Sequence, residues 1–131
     1  MSTRAQVIIK DDEQELWFYR HSDGYPKGAM PTLEKFLNGV KSGEIRDNVE
    51  QAAGWLILFG AQEYNKVYEW ESKETNEREK TLDELFTPAQ TSMGWKCGAY
   101  EPCACRDLHG DVEYLYTVDL VSKTITTKHL R

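Results

Sequence analysis

Cysteine is scarce: there are three in 131 residues, and an odd count does not make a disulfide framework. Basic charge is in the minority, with 16 Lys and Arg against 22 Asp and Glu and a formal net charge of −6. A protein that grips a nucleic-acid polymer needs a basic face, so this balance argues against one. Long hydrophobic runs are missing too. The longest, Trp55 to Phe59, is far too short to cross a bilayer, so no membrane partner is expected. The residues after Met1 carry no apolar core of the secretory kind, and a cytoplasmic protein is the expectation. Neither a Gly-rich phosphate loop nor a G-x-G-x-x-G follows any expected strand, which excludes the standard ATP and dinucleotide sites. No cofactor is expected. Repeats and low-complexity tracts are also lacking.

What is present suits one compact domain over 1–131. Hydrophobic residues make up 40% and aromatics 11%, enough to build a core. Residues 5–10 are rich in β-branched side chains and read as a strand. The polar run 11–14 is a turn, and 15–21 reads as the return strand. Its alternation sends Leu16, Phe18 and Arg20 one way and Trp17, Tyr19 and His21 the other. Two glycines and a proline make 22–30 a loop. Pro31 and Thr32 then suit the first turn of a helix, with Leu33, Phe36, Leu37 and Val40 forming one apolar stripe. Gly43 is placed to end it.

A second helix is expected from Val49 to about Tyr64. Asp47 is its expected cap, and Glu50 completes a capping-box pattern. Its second half shows so little polar surface that burial nearly all round is expected. Gly54 and Gly60 within it suggest places where another backbone packs close.

Residues 69–84 hold seven acidic and three basic residues, a local charge of −4. The stretch 67–94 reads as an acidic, mobile connector with one helical turn pinned near Thr81 to Phe86 and stopped by Pro88. Three strands follow: 95–100, 112–120 and a Thr-rich edge strand at 124–128. The expected fold is therefore α+β. It is an antiparallel sheet of about five strands in the order β-β-α-α-β-β-β, with both main helices packed on one face.

Two short segments carry most of the candidate chemistry. His21 and Asp23 lie in the first, and His109, Asp111 and Glu113 in the second. Each holds a His-x-Asp pair where a strand meets a loop. Residues two apart in extended chain share a side, so each imidazole could bond its own carboxylate. If the two segments met, two imidazoles and three carboxylates would converge and could serve acid/base work. The plainer reading is turn and capping chemistry beside glycine. Cys97, Cys103, Cys105 and His109 place four soft-metal ligands within 13 positions, but without the paired C-x2-C knuckles of a zinc site. Cys97 reads better as a small buried apolar residue.

Aromatics are abundant, and on a sheet with helices on one face alternate rings face the other side. Arg20, Tyr25, Trp95, Tyr114 and Tyr116 are the candidate ligand-binding residues, set against cross-strand pairing and core filling as the ordinary use of such rings. Lys27, Lys96 and Arg106 could add phosphate contacts. The acidic total favours a small nucleotide over a polymer.

The segments around Arg20 to Pro26, Ile45 to Asn48 leading into Gln51 to Ile57, and His109 to Tyr116 resemble a small family of uncharacterised bacterial and prophage proteins. The resemblance covers roughly 15–120 and thins through 67–93. It implies a small soluble protein carried by a phage or mobile element, and it brings no activity with it. Three uses remain open. The first is a non-enzymatic binding protein that uses an aromatic sheet face and the 22–30 loop to hold a partner protein or itself as a homodimer. The second is a phage-type anti-defence protein, acting as a charge mimic or by sequestering a signalling nucleotide. The third is a small hydrolase built on the two His-x-Asp pairs.

Overall fold

The computed structural model describes residues 3–64, 66–71, 74–79 and 98–131, with backbone alone for Tyr64, 66–71 and 74–79. The elements are β1 (Arg4–Lys10), β2 (Glu15–Arg20), α1 (Pro26–Lys41), α2 (Val49–Tyr64), β3 (Lys66–Glu71), β4 (Glu74–Glu79), β5 (Glu101–Pro102), β6 (Val112–Asp119) and β7 (Thr124–His129). Five strands form one sheet in the order β5-β2-β1-β6-β7. The fold is α+β, as the sequence predicts. One detail differs: β6 runs parallel to β1, while the other neighbouring pairs are antiparallel. The chain leaves β2, passes through both helices, rejoins the sheet at its edge as β5 beside β2, and then runs as β6 along the other side of β1 in the same direction.

The same turn device closes two hairpins. The Asp11 carboxylate accepts the N–H groups of Glu13 and Gln14, both at 2.9 Å. Asp119 repeats this between β6 and β7, accepting from Val121 at 2.9 Å and Ser122 at 3.2 Å. These bonds to the charged form hold both carboxylates below their ordinary pKa.

β1 is the central strand, and its Ala5, Val7 and Ile9 face the helices with Phe18, Tyr116, Val118 and Leu120. Helix α1 answers with Ala29, Leu33, Phe36, Leu37 and Val40 on one stripe. Burying each of its large apolar side chains is worth about 1.5–3 kcal/mol.

The start of α1 is earlier than the sequence suggests. Pro26, not Pro31, occupies the first turn, so 26–30 is helix rather than loop, and Pro31 lies inside. Pro26 presets the backbone there. Thr32 is no cap; its hydroxyl donates to Glu63 Oε1 at 2.7 Å. The expected stop holds: Gly43 has φ +84° just past the end. At α2 the cap is Asn48, whose Oδ1 accepts the Gln51 N–H at 3.2 Å, and not Asp47. Nor is α2 buried all round. Trp55 and Ile57 are 44% and 40% exposed. The Trp55 and Phe59 rings border a cleft of about 550 Å³ against α1.

Further differences concern the stretch read as a connector. Its first part forms the β3–β4 hairpin, which makes a separate two-stranded sheet. The helical turn expected at 81–86 lies outside the described residues. So does most of the strand expected at 95–100; of it, 98–100 is irregular, and pairing with β2 is made by β5 instead.

A candidate functional site on the helix-free face

Strand alternation decides which rings are available. On β2, Phe18 and Arg20 face the helices, while Trp17 and Tyr19 face away and stay half-exposed. On β1, Gln6 and Ile8 share that side, which no helix among the described residues covers. Gln6 is 0% exposed. A fully buried amide must have partners, and the 103–111 loop supplies them. The Gln6 side chain donates to Asp107 O at 3.1 Å and to Cys103 Sγ at 3.5 Å, and its Oε1 accepts the His109 N–H at 2.8 Å.

That pinning lays His109 over Tyr19. The two rings stack with centroids 4.8 Å apart and an interplanar angle of 23°. His21 approaches Tyr19 as well, at 6.3 Å and tilted by 51°. The Tyr19 hydroxyl donates to Asp111 Oδ2 at 3.1 Å, and Arg4 Nε pairs with the same oxygen at 2.9 Å. Partial burial, and then the Asp111 carboxylate, push the Tyr19 phenol above its ordinary pKa, so it stays a neutral donor at physiological pH. Beside it, Trp17 Nε1 donates to Glu15 Oε2 at 3.1 Å, and Arg106 lies 3.8 Å from Glu15 Oε1.

The two histidine-bearing segments therefore meet, at Tyr19, but not as His–Asp pairs. Asp111 is held by Tyr19 and Arg4. Asp23, at φ +55°, receives the Tyr25 hydroxyl at 3.4 Å. Neither carboxylate bonds the histidine two residues before it. Glu113 is half-buried, and its carbonyl accepts the Leu130 N–H at 2.7 Å.

The expected ligand-binding set is not assembled on one face. Tyr114 and Tyr116 sit on the helix side, in register with Ala5 and Val7. Tyr116 is 0% exposed, and its hydroxyl donates to Gly24 O at 2.6 Å. Burial pushes its pKa up. Tyr114 is half-buried and stacks on His129 at 4.5 Å. Arg20 is 2% exposed, so it is a core residue. Its guanidinium donates to Glu63 Oε2 at 2.6 Å and to the carbonyls of Ser22, Asp23 and Gly28. It thereby ties the 22–28 turn to α2. Tyr25 is exposed at the start of α1. Lys27 lines a cavity of about 320 Å³ with Thr32 and Glu63. Trp95, Lys96 and Cys97 lie outside the described residues. Cys103 is half-buried and Cys105 exposed. Among the described residues no three His, Cys, Asp or Glu side chains gather as metal ligands would.

Tyr19 and Trp17 show in the sequence only as alternating strand residues, and two further members of the site, Gln6 and Arg4, are not singled out there at all. Gln6 had a signal: it is the one amide inside an otherwise apolar strand. Arg4 had none, because its use depends on Asp111, far away in sequence.

Comparisons with known protein families, curated proteins and solved structures return no match.

Proposed function

We propose that this chain is a small, non-enzymatic interaction protein that holds a partner protein against the helix-free face of its sheet. The observation that carries this reading is the Tyr19 ring flanked by His109 and His21, with Trp17 two residues away on the same face. Half-exposed Trp and Tyr supply large contact area at low entropic cost, and each keeps a polar tip for a hydrogen bond. The 22–25 turn adjoins His21 and is braced by Arg20 from below, so it offers a firm rim. A hydrolase reading asks more of the residues, because Asp23 and Asp111 would first have to give up their present partners.

The setting we propose is the cytoplasm of a cell carrying a phage or prophage, as the sequence resemblance implies. An anti-defence role is one use of such a surface, and the net charge of −6 favours a partner with a basic rim.

The test is a photo-crosslinking amino acid placed at position 21, on this face, and at position 57, on α2, in the native host cell. A protein adduct is expected from position 21 alone, and it should vanish in Tyr19→Ala. Adducts that persist in Tyr19→Ala would overturn the reading. A panel of small nucleotides should leave the melting temperature unmoved; a clear rise would replace the protein partner with a nucleotide.

A further inference from the structure

Strand β7 is the last strand of the sheet, and its outer edge has no neighbour among the described residues. It is regular, with no register shift against β6, and contains no proline or glycine. Edges of this kind pair with other strands unless something blunts them. The hydrogen-bonding phase of β7 is fixed. Leu130 N donates to Glu113 O at 2.7 Å, and the register sets Lys128 opposite Leu115 and Thr126 opposite Thr117. In an antiparallel ladder the bonded pairs alternate. Residues 124, 126, 128 and 130 therefore spend their backbone groups on β6. Ile125, Thr127 and His129 direct theirs outward.

We propose that a second copy of this chain occupies that edge, β7 against β7, antiparallel about a two-fold axis through Thr127. Only registers that bring outward residues opposite one another can form bonds. Centred on Thr127, the pairing sets Thr127 against Thr127, Ile125 against His129 and Thr126 against Lys128. No like charges then oppose within the strand, and the like pair Lys123 and Arg131 falls beyond its two ends. A register centred on Lys128 would set two lysines face to face, and one centred on Thr126 would leave His129 outside the partner strand. The same two-fold lies perpendicular to the sheet and keeps α1 and α2 of both copies on one side. The exposed flank of α1, with Glu34 and Lys41, borders a groove with Thr124 and Ile125. In the dimer the two α1 helices run antiparallel, so the Glu34 end of each faces the Lys41 end of the other. Charge is complementary there too. This interface is independent of the Tyr19 face and leaves it open on both copies.

Light scattering on the full chain reads the result directly. The expected mass is twice 15.2 kDa. Thr127→Pro removes an outward N–H without touching the β6 ladder, and Thr127→Lys opposes two added charges at the axis. Both variants should be monomers with the circular dichroism of the parent. With Cys97, Cys103 and Cys105 replaced by serine, Thr127→Cys should link two copies under mild oxidation, while Thr126→Cys should not. A monomeric parent, or a dimer that survives Thr127→Lys, would overturn the proposal.

Discussion

The buried Oε1 of Gln6 accepts the backbone N–H of His109 at 2.8 Å, joining the central strand to a loop 103 residues further along. Through that bond β1 decides where His109 sits, and hence what stacks on Tyr19.

Replacing Gln6 with leucine should therefore do two things. It would leave the Asp107 carbonyl and the His109 N–H without their partners, at a cost of about 1–3 kcal/mol each if they stay buried. The loop should instead lift into water, which limits the net loss to roughly 2 kcal/mol. Denaturant unfolding reads the stability. Loss of the ring-current shift between His109 and Tyr19 in the NMR spectrum reads the release of the loop. Unchanged ring shifts would mean that the loop is held some other way.

Arg20 and Glu63 form the second long-range lock, at 2.6 Å between β2 and α2. Arg20 is 2% exposed, so truncating either partner strands a desolvated charge. Arg20→Met and Glu63→Gln should each destabilise by about 3–5 kcal/mol. In Arg20→Met the carbonyls of Ser22, Asp23 and Gly28 also lose a donor. Amide exchange at 22–28 should rise more in that variant than in Glu63→Gln.

These locks show where sequence reasoning stops. The alternation on β2 was readable, and it placed Arg20 beside Phe18 on one side and Tyr19 beside Trp17 on the other. Alternation does not say which side the helices cover. That is why Tyr114 and Tyr116, whose own period-2 pattern was clear, were expected on an open face and lie beneath the helices. The parallel pairing of β1 with β6 was likewise hidden, since it depends on the crossover and not on either strand's composition. Asn48 displaced Asp47 as a cap by a single residue, a distinction only backbone geometry makes. The two histidine segments each lie at a strand–loop junction in the sequence, which leaves room for them to meet, but their chemistry is hidden there, because Arg4 and Tyr19 together hold Asp111.

Acid should weaken the fold partly through its turns. Asp11 and Asp119 both titrate below their ordinary value of 3.8 because backbone N–H groups hold the carboxylate form. A depressed pKa contributes stability that is complete above the unfolded-state value. That contribution fades as pH falls through 3.8 toward the folded-state value. Between neutrality and pH 5 the double variant Asp11→Asn, Asp119→Asn should show the same trend as the parent. Below pH 4 its unfolding free energy should fall less steeply. Urea midpoints measured across that range would show it, and parallel slopes would exclude the turns as a source of acid sensitivity.

Two glycines of α2 look alike in the sequence and should behave oppositely. A Cβ added at Gly54 would meet nothing within 4 Å. There alanine restores helix propensity and should stabilise by about 0.5–1 kcal/mol. At Gly60 the same atom would lie 3.0 Å from the backbone nitrogen of Tyr100 and 3.3 Å from that of Ala99. Ala99 also donates its N–H to the Gly60 carbonyl at 2.9 Å, so this contact ties the chain just before β5 to the helix. Backbone cannot swing aside as a flexible side chain does. Gly60→Ala should therefore push the 98–100 segment away and cost about 1–3 kcal/mol, outweighing its gain in propensity. Because β5 reaches the sheet through that segment, the variant should also raise amide exchange at Cys103, whose N–H bonds Trp17 O at 2.8 Å. Thermal melts of the two variants, opposite in sign, would establish that the close approach at Gly60 shapes the helix and not a general tolerance for glycine; equal and positive shifts would refute it.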